Sequence, residues 1–216
     1  MAGLTLFYHP LSSYCWKVLI ALYENETPFT PYQVDHDRPE SVAALREAWA
    51  MERFPVLRDD NRGVTLPETS VIIEYLSIHY PGRFAPIPTG ADDVMEARLM
   101  DRLFDTVVMT GMQTVVFNTL RPADAKDDYG AYQARALLKK AYAMLEARIV
   151  GRTWAAGDAF TLADCAAMPS LWYADRIVPF RSDHPALADY LARLEERPSV
   201  RRVLAEAEPY FAMFPG

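Results

Sequence analysis

Three short stretches carry side chains whose types and spacing could do chemistry. Ser12-Ser13-Tyr14-Cys15 follows an apolar run, Leu4 to Tyr8, across the breaker Pro10-Leu11. A hydroxyl at the N-terminus of a helix can donate a hydrogen bond to a bound thiolate, and the helix end stabilises the same charge. Pro67-Glu68-Thr69-Ser70 opens a second helical stretch. Free N–H groups and partial positive charge at a helix N-terminus bind carboxylates. Glu68 beside them supplies a partner for an ammonium, so the pair suits the zwitterionic end of an amino acid. At Phe54-Pro55-Val56 a proline directly precedes a strand-like run. Proline suits a strand start, and its peptide bond can be cis at modest cost. Taken singly, each stretch also reads as ordinary punctuation: a serine cap, a threonine cap with a favoured glutamate, a strand-initiating proline.

The elements that must position these residues alternate up to about Tyr80. Leu4 to Tyr8 is a strand, and Ser12 or Ser13 caps a helix running to about Tyr23 with Val18, Ala21 and Leu22 on its buried face. Phe29 to Val34 is a second strand, and Ser41 to Trp49 a short helix. Val56-Leu57 and Val64-Thr65-Leu66 flank Asp59-Asp60-Asn61-Arg62-Gly63 as a hairpin. A helix follows from about Thr69 to His79. The order β-α-β-α-β-β-α needs a parallel first pair and antiparallel closing strands, which is what a thioredoxin-like sheet requires.

After a proline- and glycine-rich linker, residues 81–90, only helical patterns appear. The expected division is therefore an α/β domain over residues 1–80 and an all-α helical bundle over residues 91–216. Long helices span about Asp92 to Leu120 and Tyr129 to Val150. Met95, Leu99, Leu103 and Val107 are expected to form one buried stripe. Shorter helices follow near Leu162 to Tyr173, Pro185 to Glu196 and Ser199 to Ala207.

Composition narrows the function classes. The 216 residues are 51% hydrophobic, enough for one compact unit or two closely packed small domains. The formal net charge of -7 argues against a nucleic-acid partner, which usually meets a basic face. Arg193, Arg197, Arg201 and Arg202 alternate with Glu195, Glu196 and Glu206, as solvated helix faces do. The uncharged run Thr106 to Leu120 is shorter than the roughly 20 apolar residues of a membrane span, so no membrane partner is expected. Cys15 and Cys165 fit neither a disulfide framework nor a metal-ligand spacing. No metal is expected. A reducing, cytoplasmic setting follows, consistent with an opening Met1-Ala2-Gly3-Leu4 that does not look like a signal peptide.

In combination and in this order, the three stretches resemble the cytosolic glutathione S-transferase family. Pro10-Leu11-Ser12-Ser13-Tyr14-Cys15-Trp16-Lys17-Val18 resembles the serine-type (zeta/theta-like) members, and its Ser-Ser-x-x-Trp-basic-Val run the zeta class in particular. Phe54-Pro55-Val56-Leu57 resembles the family's cis-proline site. Pro67-Glu68-Thr69-Ser70 resembles its Glu-Ser motif, with threonine for serine. Gly157-Asp158-Ala159-Phe160-Thr161-Leu162-Ala163-Asp164 resembles the family's capping box and staple. In it Thr161 caps a helix, Asp164 returns a bond and Phe160 packs as the staple. His184-Pro185 and Arg197-Pro198-Ser199-Val200 resemble the helices that follow, so the likeness covers nearly the whole chain.

The resemblance implies a glutathione transferase fold, with glutathione as co-substrate and a small hydrophobic electrophile as the second substrate. It places the glutamyl end at Glu68 and Thr69, the cysteinyl backbone at Phe54 and Val56 around Pro55, and the glycine carboxylate at Arg53. For the thiolate it gives Ser12 first, then Tyr8, then Cys15, with Ser13 a close neighbour. Conjugation, isomerisation and peroxide or disulfide reduction all remain open, as does a non-catalytic assembly role. It also implies a homodimer, and the helix near Leu99 to Phe104 has apolar residues to spare. Met109, Met112 and Val116 either line the second-substrate pocket or pack within the bundle. The energetic demand is modest. A thiol of pKa about 8.5 is about 3% ionised at pH 7. Lowering it by about two units takes roughly 2.7 kcal/mol, which one charge-assisted hydrogen bond of about 1.5–3 kcal/mol and a helix end can supply.

Overall fold

A computed structural model of the chain describes residues 3–215. Met1 and Ala2, which open the chain, lie outside the described residues. The sheet has four strands: β1 (Leu4–Tyr8), β2 (Thr30–Gln33), β3 (Val56–Asp59) and β4 (Val64–Pro67). Their order is β2-β1-β3-β4, with β1 parallel to β2 and antiparallel to β3, and β4 antiparallel to β3. The apolar β1 is central, and alternate residues face opposite sides. Leu4 and Leu6 join the main core, whereas Phe7 joins a smaller one with Val34, Leu45 and Val56. Helices α1 (Ser13–Glu24) and α3 (Thr69–His79) contribute to the main core, and α2 (Pro39–Ala48) supplies Leu45 to the smaller one.

The second part contains α4 (Ala91–Leu103), α5 (Thr110–Leu120), α6 (Asp128–Ile149), α7 (Leu162–Ile177), α8 (Pro185–Glu195) and α9 (Pro198–Ala207). Residues Leu162 to Ala174 of α7 are all buried, so this helix is the axis of the molecule. Its N-terminus carries the expected capping box: Thr161 N–H donates to Asp164 at 2.8 Å, and the Thr161 hydroxyl accepts from Ala163 N–H at 3.3 Å. Phe160 packs against Phe84 and Trp154, joining the box to the segment before α4.

Two expectations need correction. Only the second half of the stripe Met95, Leu99, Leu103 and Val107 meets the core, with Leu103 and Val107 packed half-buried against it. Met95 is 65% and Leu99 42% exposed, while Ala97, Met100, Phe104 and Val108 are buried. Asp101 and Asp105 lie on that inward side and make it look polar in sequence, but Lys17 meets both of them inside. The single helix expected over Asp92 to Leu120 is interrupted by a π-helical turn, Phe104–Met109. There Ser170 donates to the Phe104 carbonyl at 3.2 Å, an acceptor the helix itself would otherwise use.

Among the arginines of the last helices, Arg201 and Arg202 are exposed as expected, but Arg197 is not on a solvated face. Arg197 forks onto Glu24 of α1 at 2.9 and 2.6 Å and lies over the Phe160 ring at 3.9 Å. It ties the two halves of the chain together.

Candidate active site

Two adjoining cavities lie between the sheet and the helices, sharing Tyr14, Arg53 and Phe54 as a common wall. The first, about 480 Å³, is bounded by Pro55, Glu68 and Thr69 on one side and by Arg102, Asp105 and Thr106 on the other. The second, about 590 Å³, is bounded by His9, Ser12, Ser13, Met112 and Val116, with Phe214 near the chain's end. Both volumes are typical of small-molecule sites.

Local sequence explains how each wall is made. Pro67 ends β4 and Thr69 starts α3, leaving Glu68 between them with φ 71°. A non-glycine residue in the left-handed region is strained, and such strain clusters at functional sites. It turns the α3 N-terminus and the Glu68 carboxylate toward one cavity. The Phe54–Pro55 peptide is cis, as expected, and Val56 then enters β3 fully buried. Ser12 caps α1, accepting a long 3.3 Å bond from Cys15 N–H.

The thiolate candidates separate cleanly in space. Ser12 and Ser13 both line the second cavity, Ser13 almost fully buried. Tyr8 lines neither cavity. Its phenol is half-buried toward Glu206 and Tyr210, and burial first, then Glu206, pushes its pKa above the usual tyrosine value. Cys15 is fully buried, and burial pushes its thiol up to about 12, so it has no thiolate near neutral pH. Among the second-pocket candidates, Met112 and Val116 reach the cavity, whereas Met109 is packed in the core. Arg53 is exposed on the rim shared by both cavities.

Several residues at the site were not singled out from sequence. Tyr14 stands in the common wall, its hydroxyl only loosely tied to the Asp105 carbonyl at 3.4 Å. Burial raises it to about 12, which keeps it a donor. Its place in the Ser-Ser-Tyr-Cys run was a usable signal. Lys17 is 1% exposed and pairs with Asp101 at 2.5 Å and Asp105 at 2.6 Å, linking α1 to the opposite wall of the first cavity. Arg102 adds bonds to Asp101 and Asp105 from the outside. A lysine inside the apolar run of α1 was the only hint of this cluster. Among the described residues, no group of three or more His, Cys, Asp or Glu is arranged to hold a metal ion. No helix among the described residues is long and apolar enough to cross a membrane.

Comparison with known proteins fits this geometry. Residues 6–84 match the model of the glutathione S-transferase N-terminal domain, and residues 108–198 that of the C-terminal domain. The chain belongs to the glutathione S-transferase family. Its relatives include glutathione S-transferase GstB of Escherichia coli, 27% identical over 87% of this chain and 91% of GstB. Maleylacetoacetate isomerase maiA of Aspergillus fumigatus is 26% identical over 95% of this chain and 91% of its own. A glutathione S-transferase of Methylobacterium radiotolerans, solved in complex with glutathione sulfonate, is 27% identical, with a TM-score of 0.80 over 93% of each chain. Within this family member, the small α/β sheet therefore carries one wall of both cavities and the helical part carries the other.

Proposed function

We propose that the chain is an active glutathione transferase that binds glutathione in the first cavity and presents its thiolate to a small hydrophobic electrophile in the second. The observation that carries this reading is the pair of adjoining cavities with a shared wall, one lined by Pro55, Glu68 and Thr69, the other by Ser12, Met112 and Val116. A relative solved with glutathione sulfonate supports the ligand.

In this reading Glu68 takes the glutamyl ammonium, and the α3 N-terminus at Thr69 takes its carboxylate. Phe54 and Val56 flank the cysteinyl backbone at Pro55, and Arg53 meets the glycine carboxylate. Ser12 donates to the sulfur at the boundary of the two cavities. The uncharged Ser12 hydroxyl, at the end of a 12-residue helix, lowers the thiol pKa without needing a base of its own. Residues 1–80 form the glutathione domain, 81–90 the linker and 91–216 the second-substrate domain. Burial of Cys15 removes the group that dithiol exchange would need, and leaves conjugation, isomerisation and glutathione-dependent thiol exchange, which need only the activated thiolate.

The same reading includes a cytoplasmic homodimer. Val71 and Ile78 of α3 and Met95 and Leu99 of α4 are exposed, and Arg98 ties α4 to Glu74 of α3 at 3.0 Å. This apolar face is the natural contact for a second copy. Sedimentation at micromolar concentration tests the dimer, and a monomer alone would remove it. Retention on immobilised glutathione, followed by a panel of chemically distinct electrophiles, tests the enzyme. A protein that does not bind glutathione, or binds it and turns over none of the panel, would overturn the reading.

A further inference from the structure

His9 occupies a position that the glutathione reading leaves unused. It follows β1 directly, lines the second cavity and stacks on Phe54 of the common wall, with centroids 6.0 Å apart and planes at 24°. Tyr210 meets it edge-on at 5.7 Å. These two rings and the backbone fix its orientation. Leu11 N–H donates to His9 Nδ1 at 3.1 Å. Nδ1 must therefore present its lone pair, and a neutral ring carries its proton on Nε2. Nε2 makes no hydrogen bond to the described residues, and it is not among the sealed, unpartnered polar atoms. That leaves an N–H donor with only the cavity or its solvent to meet. Partial burial pushes the ring's pKa below its ordinary value, with Asp35 opposing and His36 assisting, so the neutral donor form prevails at pH 7.

Ser12 and His9 face the same space, and their backbones are joined by a 3.0 Å bond from Ser12 N–H to the His9 carbonyl. A sulfur beside Ser12 thus lies in one chamber with a fixed N–H donor. We propose that His9 Nε2–H is the oxyanion donor for conjugated carbonyl electrophiles, on which this transferase acts by thiolate addition. The proposal rests on the glutathione reading above. The thiolate forms a C–S bond at the β-carbon, and the C=C π pair moves through the carbon chain to leave negative charge on the carbonyl oxygen. His9 holds that oxygen by a hydrogen bond and keeps its own proton. The α-carbon then takes a proton from solvent, replacing the one the thiol released. The side chains of His36 and Arg53, which also line this cavity, are exposed and solvated, so a donor there is worth less than one on a half-buried, pinned ring.

The test compares benzalacetone, where charge builds on oxygen, with benzyl chloride, where it leaves on chloride. The two share a phenyl group and differ in where the electrons go. His9→Phe keeps the stacking ring and removes the donor. Its ratio of kcat/KM for benzalacetone over benzyl chloride should fall about 100-fold, chiefly through kcat. His9→Gln, which restores an N–H near Nε2, should recover most of that ratio. Nitrogen NMR of the wild-type protein, with His9 assigned by its absence from His9→Phe, should show a neutral ring protonated on Nε2. An unchanged ratio in His9→Phe, or a proton on Nδ1, would overturn the proposal, as would wild-type turnover of benzyl chloride with none of benzalacetone. Failure of the wild-type protein to bind glutathione would be seen separately in calorimetry and would take down the parent reading with it.

Discussion

Two helices in this molecule begin with a hydroxyl cap, and the two caps have opposite characters. Thr161 opens α7 and is 1% exposed. Its hydroxyl accepts from Ala163 N–H and donates to Asp164 at 3.2 Å. Asp164 closes the box and also accepts from Ala155 N–H at 2.8 Å and from the Tyr190 hydroxyl at 2.7 Å. Ser12 opens α1 beside a cavity, and its oxygen has one long bond, from Cys15 N–H. The residue three positions on is Asp164 in the first case and Cys15 in the second. A carboxylate there saturates the cap, whereas a thiol is a weak acceptor and holds the Ser12 hydroxyl far less firmly. The same residue class at the same helix position is thus a closed structural joint at α7 and an open hydroxyl at α1.

The largest effect should come from opening the closed cap. Asp164→Ala strands four donors inside the protein: Ala155 N–H, Thr161 N–H and the Thr161 and Tyr190 hydroxyls. At about 1–3 kcal/mol for each unsatisfied buried group, the loss should reach about 3 kcal/mol or more. Urea unfolding measures it directly, and a loss below about 1 kcal/mol would mean that the box is not the joint described here.

Next in size are two changes on the open side, each about 1.5–3 kcal/mol, the value of one charge-assisted bond. Ser12→Ala should raise the pKa of bound glutathione by about one to two units. Because the raised thiol is mostly protonated at pH 7 and ionised at pH 9, turnover should suffer far more at pH 7. Tyr8→Phe is the control: a thiol pKa that moves with Tyr8 and not with Ser12 would transfer the role, although Tyr8 lines neither cavity. Glu68→Ala should weaken glutathione binding by the same amount and leave the pKa of whatever glutathione remains bound in place. Calorimetry with unchanged affinity would remove Glu68 from the site.

The contrast between the caps was visible in sequence, because Thr161 has its acidic partner three residues on and Ser12 does not. So were all four strands and the start of α3, since Pro67 and Thr69 bracket the turn chemically. The inward face of α4 was not legible. Leucine and methionine occupy both faces, and the acidic pair Asp101 and Asp105 disguised the buried side until Lys17 was seen to meet it. The π-helical turn was hidden for a similar reason: the carbonyl that opens it, on Phe104, faces Ser170, 66 residues away in sequence. The site shows the same limit. Ser12, Pro55, Glu68 and Thr69 lie in local motifs and could be read directly. Tyr14, Arg102 and Asp105 meet only where Tyr14 and Lys17 of α1 reach the end of α4 and the π-helical turn after it, and periodicity carries no information about that meeting. His9 was passed over because what fixes its ring is a neighbouring backbone N–H and two aromatic faces, none of which is a pattern in sequence.

The smallest predicted effect bears most directly on the comparison. Replacing a helix cap by alanine costs about 0.5–2 kcal/mol. Thr161→Ala belongs near the top of that range, because its loss leaves the buried Ala163 N–H without its acceptor and Asp164 without one donor. Ser12→Ala belongs near the bottom, at about 0.5 kcal/mol. Its single bond is 3.3 Å long, so little is lost with it. Urea midpoints for the two variants, measured without glutathione, should therefore differ even though the substitutions are chemically alike. If Ser12→Ala instead cost as much as Thr161→Ala, Ser12 would be a structural cap, and slower turnover in that variant could be ascribed to a loosened α1. A small stability cost together with a raised thiol pKa is the outcome that separates the two roles, since a hydroxyl serving only the fold would show the reverse.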